Sequence, residues 1–120
     1  MRRFAKSDKV ADLLRHGISN ALLTALGDER LKWITVNTVD LTRDLSLAKV
    51  YYTVLEPALG REQAAQALEE NLPALRRHLA AGLRLRQLPE IQMLFDETAE
   101  RARRIEDLLQ QVRTDGGDGG

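Results

Sequence analysis

The sequence predicts a single α+β domain in which a three-stranded sheet carries helices packed on one face. Hydrophobic patterns typical of helices and strands follow one another along residues 7–112, in the order helix, strand, strand, broken helix, strand, helix. The chain has 120 residues, enough to bury a core, and no cysteine, which excludes disulfides, thiolate metal sites and a cysteine nucleophile.

The first half of the chain predicts one helix and two strands. Apolar residues recur at three- and four-residue spacing from Val10 to Leu26, and Gly27 is a suitable helix stop. Residues 33–39 are rich in β-branched side chains, which favours a strand. Residues 47–55 alternate between two faces. One face holds Ala48, Val50, Tyr52 and Val54, and the other holds Lys49, Tyr51 and Thr53.

The second half predicts a broken helix, a third strand and a last helix. Residues 61–72 are strong helix formers, and Pro73 is expected to interrupt that helix and to begin another. The interhelix kink is therefore expected at Asn71, Leu72 and Pro73. In the second of these helices Arg77 and Arg84 are expected on the face opposite Leu75, Leu79 and Leu83.

Residues 90–95 alternate as a third strand, and residues 97–112 carry an apolar helical stripe. The last seven residues are glycine and aspartate rich, so the domain is expected to span residues 1–113 and residues 114–120 to form a disordered tail. The apolar stripe of the last helix comprises Ala102, Ile105, Leu108, Leu109 and Val112.

Charge is balanced in total but uneven along the chain. Eighteen basic and eighteen acidic residues give a net charge of zero. Two basic groups stand out, and each has a net positive charge. The first, within residues 1–16, comprises Arg2, Arg3, Lys6, Lys9 and Arg15. The second, within residues 73–89, comprises Arg76, Arg77, Arg84 and Arg86.

Two segments carry a family resemblance. Residues 43–51 (RDLSLAKVY) form a polar corner between two strands, and residues 83–91 (LRLRQLPEI) precede residues 95–98 (FDET). Together with the basic start of the chain, these segments resemble the ribosome-binding factor A family, bacterial maturation factors of the small ribosomal subunit. The element order also matches the bacterial type (type II) of KH domain, a single-stranded nucleic-acid binding fold.

The resemblance implies a KH-like sandwich of order α-β-β-α-kink-α-β-α. It also implies a protein that binds immature small (30S) ribosomal subunits and 16S rRNA and that supports late 5′-end rRNA processing. The family usually carries an Ala-x-Gly kink between the paired helices, whereas this chain has Asn71-Leu72-Pro73. Proline is expected to force the kink because its ring fixes the backbone and clashes with the preceding turn, whereas glycine would allow the kink because its backbone is flexible.

The resemblance makes both basic groups candidates for RNA-phosphate contact, because arginine donates two parallel hydrogen bonds to a phosphate. A solvated charged surface is the alternative interpretation of the same residues. Arg43 and Lys49 are further RNA-binding candidates, and Tyr51 is a candidate for stacking on a base. For Asp44 we expect a turn-capping role, and for Tyr52 a place in the core.

No phosphate loop, nucleophile elbow or catalytic constellation of acid and base side chains occurs. The sequence therefore predicts a binding protein and not an enzyme. His16 and His78 lie on different predicted helices, so we expect no metal site and no cofactor. No apolar run of signal-peptide or membrane-spanning length is present, which favours a soluble, cytoplasmic protein. We also expect a monomer. The main alternative function is a protein–protein adaptor with no direct RNA contact.

Overall fold

The computed structural model describes residues 6–118, with side chains for residues 7–113. Three helices and a three-stranded mixed sheet confirm the predicted α+β class. The helices are α1 (Lys6–Asn20), α2 (Arg61–Gly82) and α3 (Thr98–Asp118). The strands are β1 (Ile34–Leu41), β2 (Leu47–Val54) and β3 (Glu90–Phe95). A π-helical turn (Ala21–Ala25) extends α1, and a 3-10 turn (Glu29–Trp33) precedes β1.

Strand β2 lies at the centre of the sheet, antiparallel to β1 and parallel to β3. The register pairs Val39 with Val50 and Ala48 with Ile91, so the buried side chains of the three strands share one face. The register shifts between Val36 and Thr38, which leaves Asn37 as an extra residue in β1. The bulge places Val36 and Val39, although three residues apart, on the core side.

The core forms between this sheet face and helices α1 and α2. Ala48, Val50 and Tyr52 are buried, as the alternation of residues 47–55 predicts. Gly17 lets α1 approach α2 closely, because a Cβ at that position would lie 3.0 Å from a methyl group of Leu79. The predicted helix stop at Gly27 is also confirmed, since this glycine has a φ of +71°.

Helix α2 corrects one sequence prediction. We expected two helices separated at Asn71, Leu72 and Pro73, but the structure has one continuous helix of 22 residues with Pro73 inside it. Leu68, Leu75 and Leu79, on both sides of the proline, are buried in the same core. Their packing holds both halves in one helix despite the backbone hydrogen bond that proline removes.

The end of α2 corrects a second prediction. The helix ends at Gly82, so Arg84 and Arg86 lie in the connector to β3 and do not share a helix face with Arg77. Leu83 follows the helix in an extended conformation, and its backbone N–H donates to the carbonyl of Leu79. This extended residue redirects the chain away from the helix axis.

Helix α3 begins one residue after the predicted start and is described through Asp118, beyond the predicted domain end at residue 113. That residues 114–120 form a disordered tail stays a prediction. Residues 101–113 are all exposed, including the apolar stripe. Helix α3 therefore extends from the domain and does not cover the sheet.

Candidate nucleic-acid interface

The hairpin corner between β1 and β2 is held by a compact hydrogen-bond network. The backbone N–H of Thr42 donates to the carbonyl of Leu47 (3.0 Å), and that of Leu45 donates to the carbonyl of Thr42 (2.9 Å). Asp44 Oδ1 accepts from Ser46 Oγ (2.7 Å), Thr42 Oγ1 (2.8 Å) and Ser46 N (3.1 Å). The hydrogen bonds from Ser46, and then from Thr42, lower the pKa of Asp44. Asp44 therefore caps the turn, as predicted.

Leu45 in this corner has a φ of +64°, in the left-handed region. This conformation is uncommon for residues other than glycine, and it costs free energy because Cβ crowds the following carbonyl. The surrounding network of Thr42, Asp44 and Ser46 holds it in place. The side chain of Leu45 is partly buried at the edge of a groove.

That groove, which we call the arginine groove, has a volume of about 1070 Å³. Three segments form it: the start of α1, the hairpin corner, and α2 with the connector to β3. Its lining comprises Val10, Asp44, Leu45, Ser46, Arg76 and residues 84–90. The two segments that carry the family resemblance, distant in sequence, therefore meet in one cavity.

Arginines 76, 84 and 86 line the arginine groove, whereas Arg77 lies outside it on an exposed part of α2. Arg76 is half-buried and donates to the carbonyl oxygen of Pro89 (3.1 Å). Within the described residues Arg77, Arg84 and Arg86 have no ion pair or side-chain hydrogen bond. Their guanidinium groups are exposed and free to bind an anion.

The N-terminal basic group is only partly described. Arg2 and Arg3 lie outside the described residues, as does the side chain of Lys6. Lys9 is exposed and, with Arg15, lines a second groove of about 650 Å³ between α1 and β1. Arg15 is paired with Asp12 (3.0 Å), which neutralises part of its charge. Since Val10 lines the arginine groove, the described start of α1 lies beside the connector, whereas Lys9 and Arg15 line the second groove.

The remaining candidates are not among the residues that line the arginine groove. Arg43 is exposed in the corner. Lys49 and Tyr51 are partly exposed on the sheet face opposite the core, where Lys49 is opposite Asp40 and Tyr51 is opposite Leu94. They could contact a ligand only across the open face of the sheet.

One residue of the predicted kink segment, Asn71, belongs to a polar cluster that sequence reasoning missed. Arg30 Nη2 lies 2.7 Å from Asp28 Oδ2 and 2.6 Å from Glu70 Oε2. Asn71 Nδ2 donates to the same Asp28 oxygen (2.9 Å) and to the carbonyl of Ala67 (2.8 Å). The Arg30 hydrogen bond is the main cause that lowers the pKa of Asp28. Asn71 is thus engaged within the fold, while Pro73 is exposed.

A second missed residue, Arg61, anchors the start of α3. Its guanidinium carbon lies 3.8 Å from the ring centroid of Phe95, and its Nη2 lies 2.8 Å from Glu97 Oε1. Asp96 accepts from the backbone N–H of Thr98 (2.9 Å) and from Asn37 (3.0 Å). The first turn of α3 is therefore fixed to the sheet and to α2. The only sequence signal for this anchor was the acidic start of the helix.

Other kinds of site are not seen in the described part of the chain. Among residues 6–118 no group of three or more His, Asp or Glu side chains could hold a metal ion. His16 and His78 are both exposed. No helix in that range is long and apolar enough to cross a membrane.

Comparison with known proteins identifies the family of this chain. The family model described as ribosome-binding factor A matches residues 6–109. The chain belongs to the ribosome-binding factor A family. The ribosome-binding factor A of Chromobacterium violaceum is 34% identical over 109 residues, which cover 91% of this chain and 78% of that relative.

Solved structures of the ribosome-binding factor A family have the same fold. The crystal structure of ribosome-binding factor A from Thermus thermophilus matches with a TM-score of 0.65 and 29% identity, covering 74% of this chain and 93% of that one. A Thermus thermophilus homology model fitted into a cryo-EM map of a 30S complex of this factor matches with a TM-score of 0.59 and 30% identity. That match covers 72% of this chain and 90% of the other.

Proposed function

We propose that this protein is an assembly factor that binds immature small (30S) ribosomal subunits, contacts 16S rRNA and supports late processing of the rRNA 5′ end. The observation that carries the proposal is membership of the ribosome-binding factor A family, together with the likeness to a relative fitted into a 30S complex. Arg77, Arg84 and Arg86, which have no partner among the described residues, supply the positive charge that RNA binding needs.

The mechanism is binding without covalent chemistry. Arg77, Arg84 and Arg86 are exposed and unpaired among the described residues, so they can bind phosphates without first breaking an ion pair. Binding that favours one rRNA conformation shifts the population toward it.

The experiment is co-sedimentation with purified immature 30S subunits across a salt series. Bound protein should decrease steeply as salt rises, because phosphate contacts release counterions. Arg77→Glu with Arg84→Glu should abolish retention at moderate salt. The matched control is Arg103→Glu with Arg113→Glu, two exposed arginines on α3, which should keep retention. Retention that ignores salt and survives the Arg77 and Arg84 substitutions would refute phosphate contact.

The exposed stripe of α3 favours the second candidate function, a protein–protein adaptor. Ile105, Leu108 and Leu109 are more than half exposed on a helix whose base is anchored to the domain. In that case Ile105→Gln with Leu109→Gln would release the protein from the subunit, and the arginine variant would not.

The processing role has its own test. Cells without the protein should accumulate 16S rRNA with an extended 5′ end, and the Arg77 and Arg84 double variant should fail to restore maturation.

A further inference from the structure

The walls of the arginine groove are apolar on three sides. Val10 comes from α1, Leu45 from the hairpin corner, and Leu85, Leu88 and Pro89 from the connector. Pro89 is fully buried and Val10 is 8% exposed, so the floor belongs to the folded core. A volume of about 1070 Å³ lies at the upper end of the range for small-ligand sites. The groove is therefore larger than a phosphate alone requires.

The charge of the groove favours an anion. Three guanidinium groups and two carboxylates, Asp44 and Glu90, line it. Asp44 directs one oxygen to three hydrogen bonds within the corner. Arg76 donates to Pro89, and a guanidinium has further N–H donors. Arg84 and Arg86 are unpaired among the described residues, so a ligand phosphate has two free arginines to bind.

The backbone conformation of the corner indicates that the side chain of Leu45 has a role in ligand binding. At a φ of +64° glycine would satisfy the backbone without strain, yet this chain has leucine there. Strained residues of this kind cluster at binding sites, where the surrounding structure holds them. Here the strain places an apolar side chain on the groove wall, directly beside the charged groups.

We propose that the arginine groove holds one unstacked nucleotide, with its phosphate on Arg84 and Arg86 and its base against Leu45 and Leu88. A nucleotide carries a phosphate and, through its ribose, a flat aromatic base whose faces are apolar, and these two parts match the arginines and the apolar walls of the groove. Single-stranded RNA is commonly recognised through bases that leave the stack and pack on side chains, including arginine planes. The inference rests on the proposed RNA-binding function and adds which RNA feature the groove selects.

The experiment compares two RNA hairpins that differ only by one bulged nucleotide. Binding of the full chain is measured by fluorescence anisotropy at one fixed salt concentration. The protein should bind the bulged hairpin about tenfold more tightly than the paired one. Leu45→Gly removes the leucine side chain from the groove wall, and glycine readily adopts the left-handed backbone. This variant should therefore fold and lose the preference for the bulged hairpin. Arg84→Gln with Arg86→Gln should also reduce the preference, and the control Arg103→Gln with Arg113→Gln should retain it.

A preference below about twofold, or one that survives Leu45→Gly, would overturn the nucleotide groove. Equal weakening of both hairpins by the Arg84 and Arg86 substitutions would do the same, while leaving the proposed RNA-binding function intact. Retention on 30S subunits that ignores salt and survives the Arg77 and Arg84 substitutions would instead refute that proposed RNA-binding function.

Two kinds of competitor identify the source of the nucleotide. Displacement of the bulged hairpin by AMP, GMP, CMP or UMP would support the groove and show that it accepts a free nucleotide. If these compounds do not compete while the preference still depends on Leu45, the groove needs a nucleotide within a strand. Displacement by an acidic peptide, but by no nucleotide, would overturn the proposal in favour of a protein partner.

Discussion

Asp44 and Leu45 are neighbours in the hairpin corner but have different tasks. The carboxylate of Asp44 accepts hydrogen bonds from Ser46 and Thr42 within the turn, and these hydrogen bonds lower its pKa. The side chain of Leu45 lies on the wall of the arginine groove. The polar residues of the corner therefore shape the backbone, and Leu45 adds an apolar side chain to the wall of the arginine groove.

The first prediction compares two truncations of Leu45. Both Leu45→Gly and Leu45→Ala remove the packing of the leucine side chain, so their difference isolates the backbone conformation. At a φ of +64° the glycine variant should be more stable than the alanine variant by about 1 kcal/mol. Urea denaturation of both variants measures this difference. Equal stability, or a more stable alanine variant, would contradict the strain.

At the scale of elements, α2 shows that long-range packing can override a local helix breaker. Pro73 is exposed and lies inside a continuous helix. On one side Glu70 and Asn71 are held by the Asp28 and Arg30 cluster. On the other, Leu75 and Leu79 are buried. The helix is thus fixed before and after the proline.

The second prediction concerns Pro73→Ala. Alanine restores the backbone N–H that proline lacks and has the best helix propensity, so the free energy of unfolding should rise by about 1–3 kcal/mol. Chemical denaturation measures the change. A destabilised variant would show that the proline conformation is required by the packing around it.

The third prediction concerns the exposed stripe of α3. Ile105 and Leu109 are 57% and 53% exposed, so Ile105→Gln with Leu109→Gln should leave the free energy of unfolding nearly unchanged. The contrasting variant is Leu79→Ala, at a residue that is 1% exposed, which should cost about 2–5 kcal/mol. A large loss of stability in the glutamine variant would show that α3 folds back onto the domain in solution.

For the whole molecule, hydrogen-bonded carboxylates link segments that are distant in sequence. Asp28 and Glu70 join the 3-10 turn to α2 through Arg30. Asp96 joins the start of α3 to β1, and Glu97 joins it to α2. Each of these four groups has a lowered pKa, in every case mainly because of a side-chain hydrogen bond.

The fourth prediction is an acid-dependent loss of stability. A carboxyl with a lower pKa in the folded state stabilises the protein above its unfolded pKa of about 4 and loses that contribution as pH falls. The free energy of unfolding should stay level from about pH 7 to 5 and decrease below about pH 4. Asp28→Asn should make that decrease shallower, and Asp107→Asn on α3 should not. An unchanged stability down to about pH 3 would contradict the prediction.

Local patterns in the sequence predicted most of the fold. The alternation of residues 47–55, the third strand at residues 90–95 and the apolar face of α1 all depend on neighbours within a few positions. The candidate site was predicted less completely. The arginines were predicted as a charged group, but Arg84 was placed on a helix because the spacing of the nearby leucines also fits a helix.

The sequence by itself determined the α+β order, the hairpin with its buried and open faces, and the two segments that resemble the family. These features follow from side-chain periodicity, which is read along the chain. Only the tertiary structure decided that α2 continues through Pro73, that α3 remains uncovered, and that the corner and the connector form one groove. Those outcomes depend on contacts between residues distant in sequence, such as Arg30 with Glu70 and Ser46 with Glu90, which no local pattern encodes.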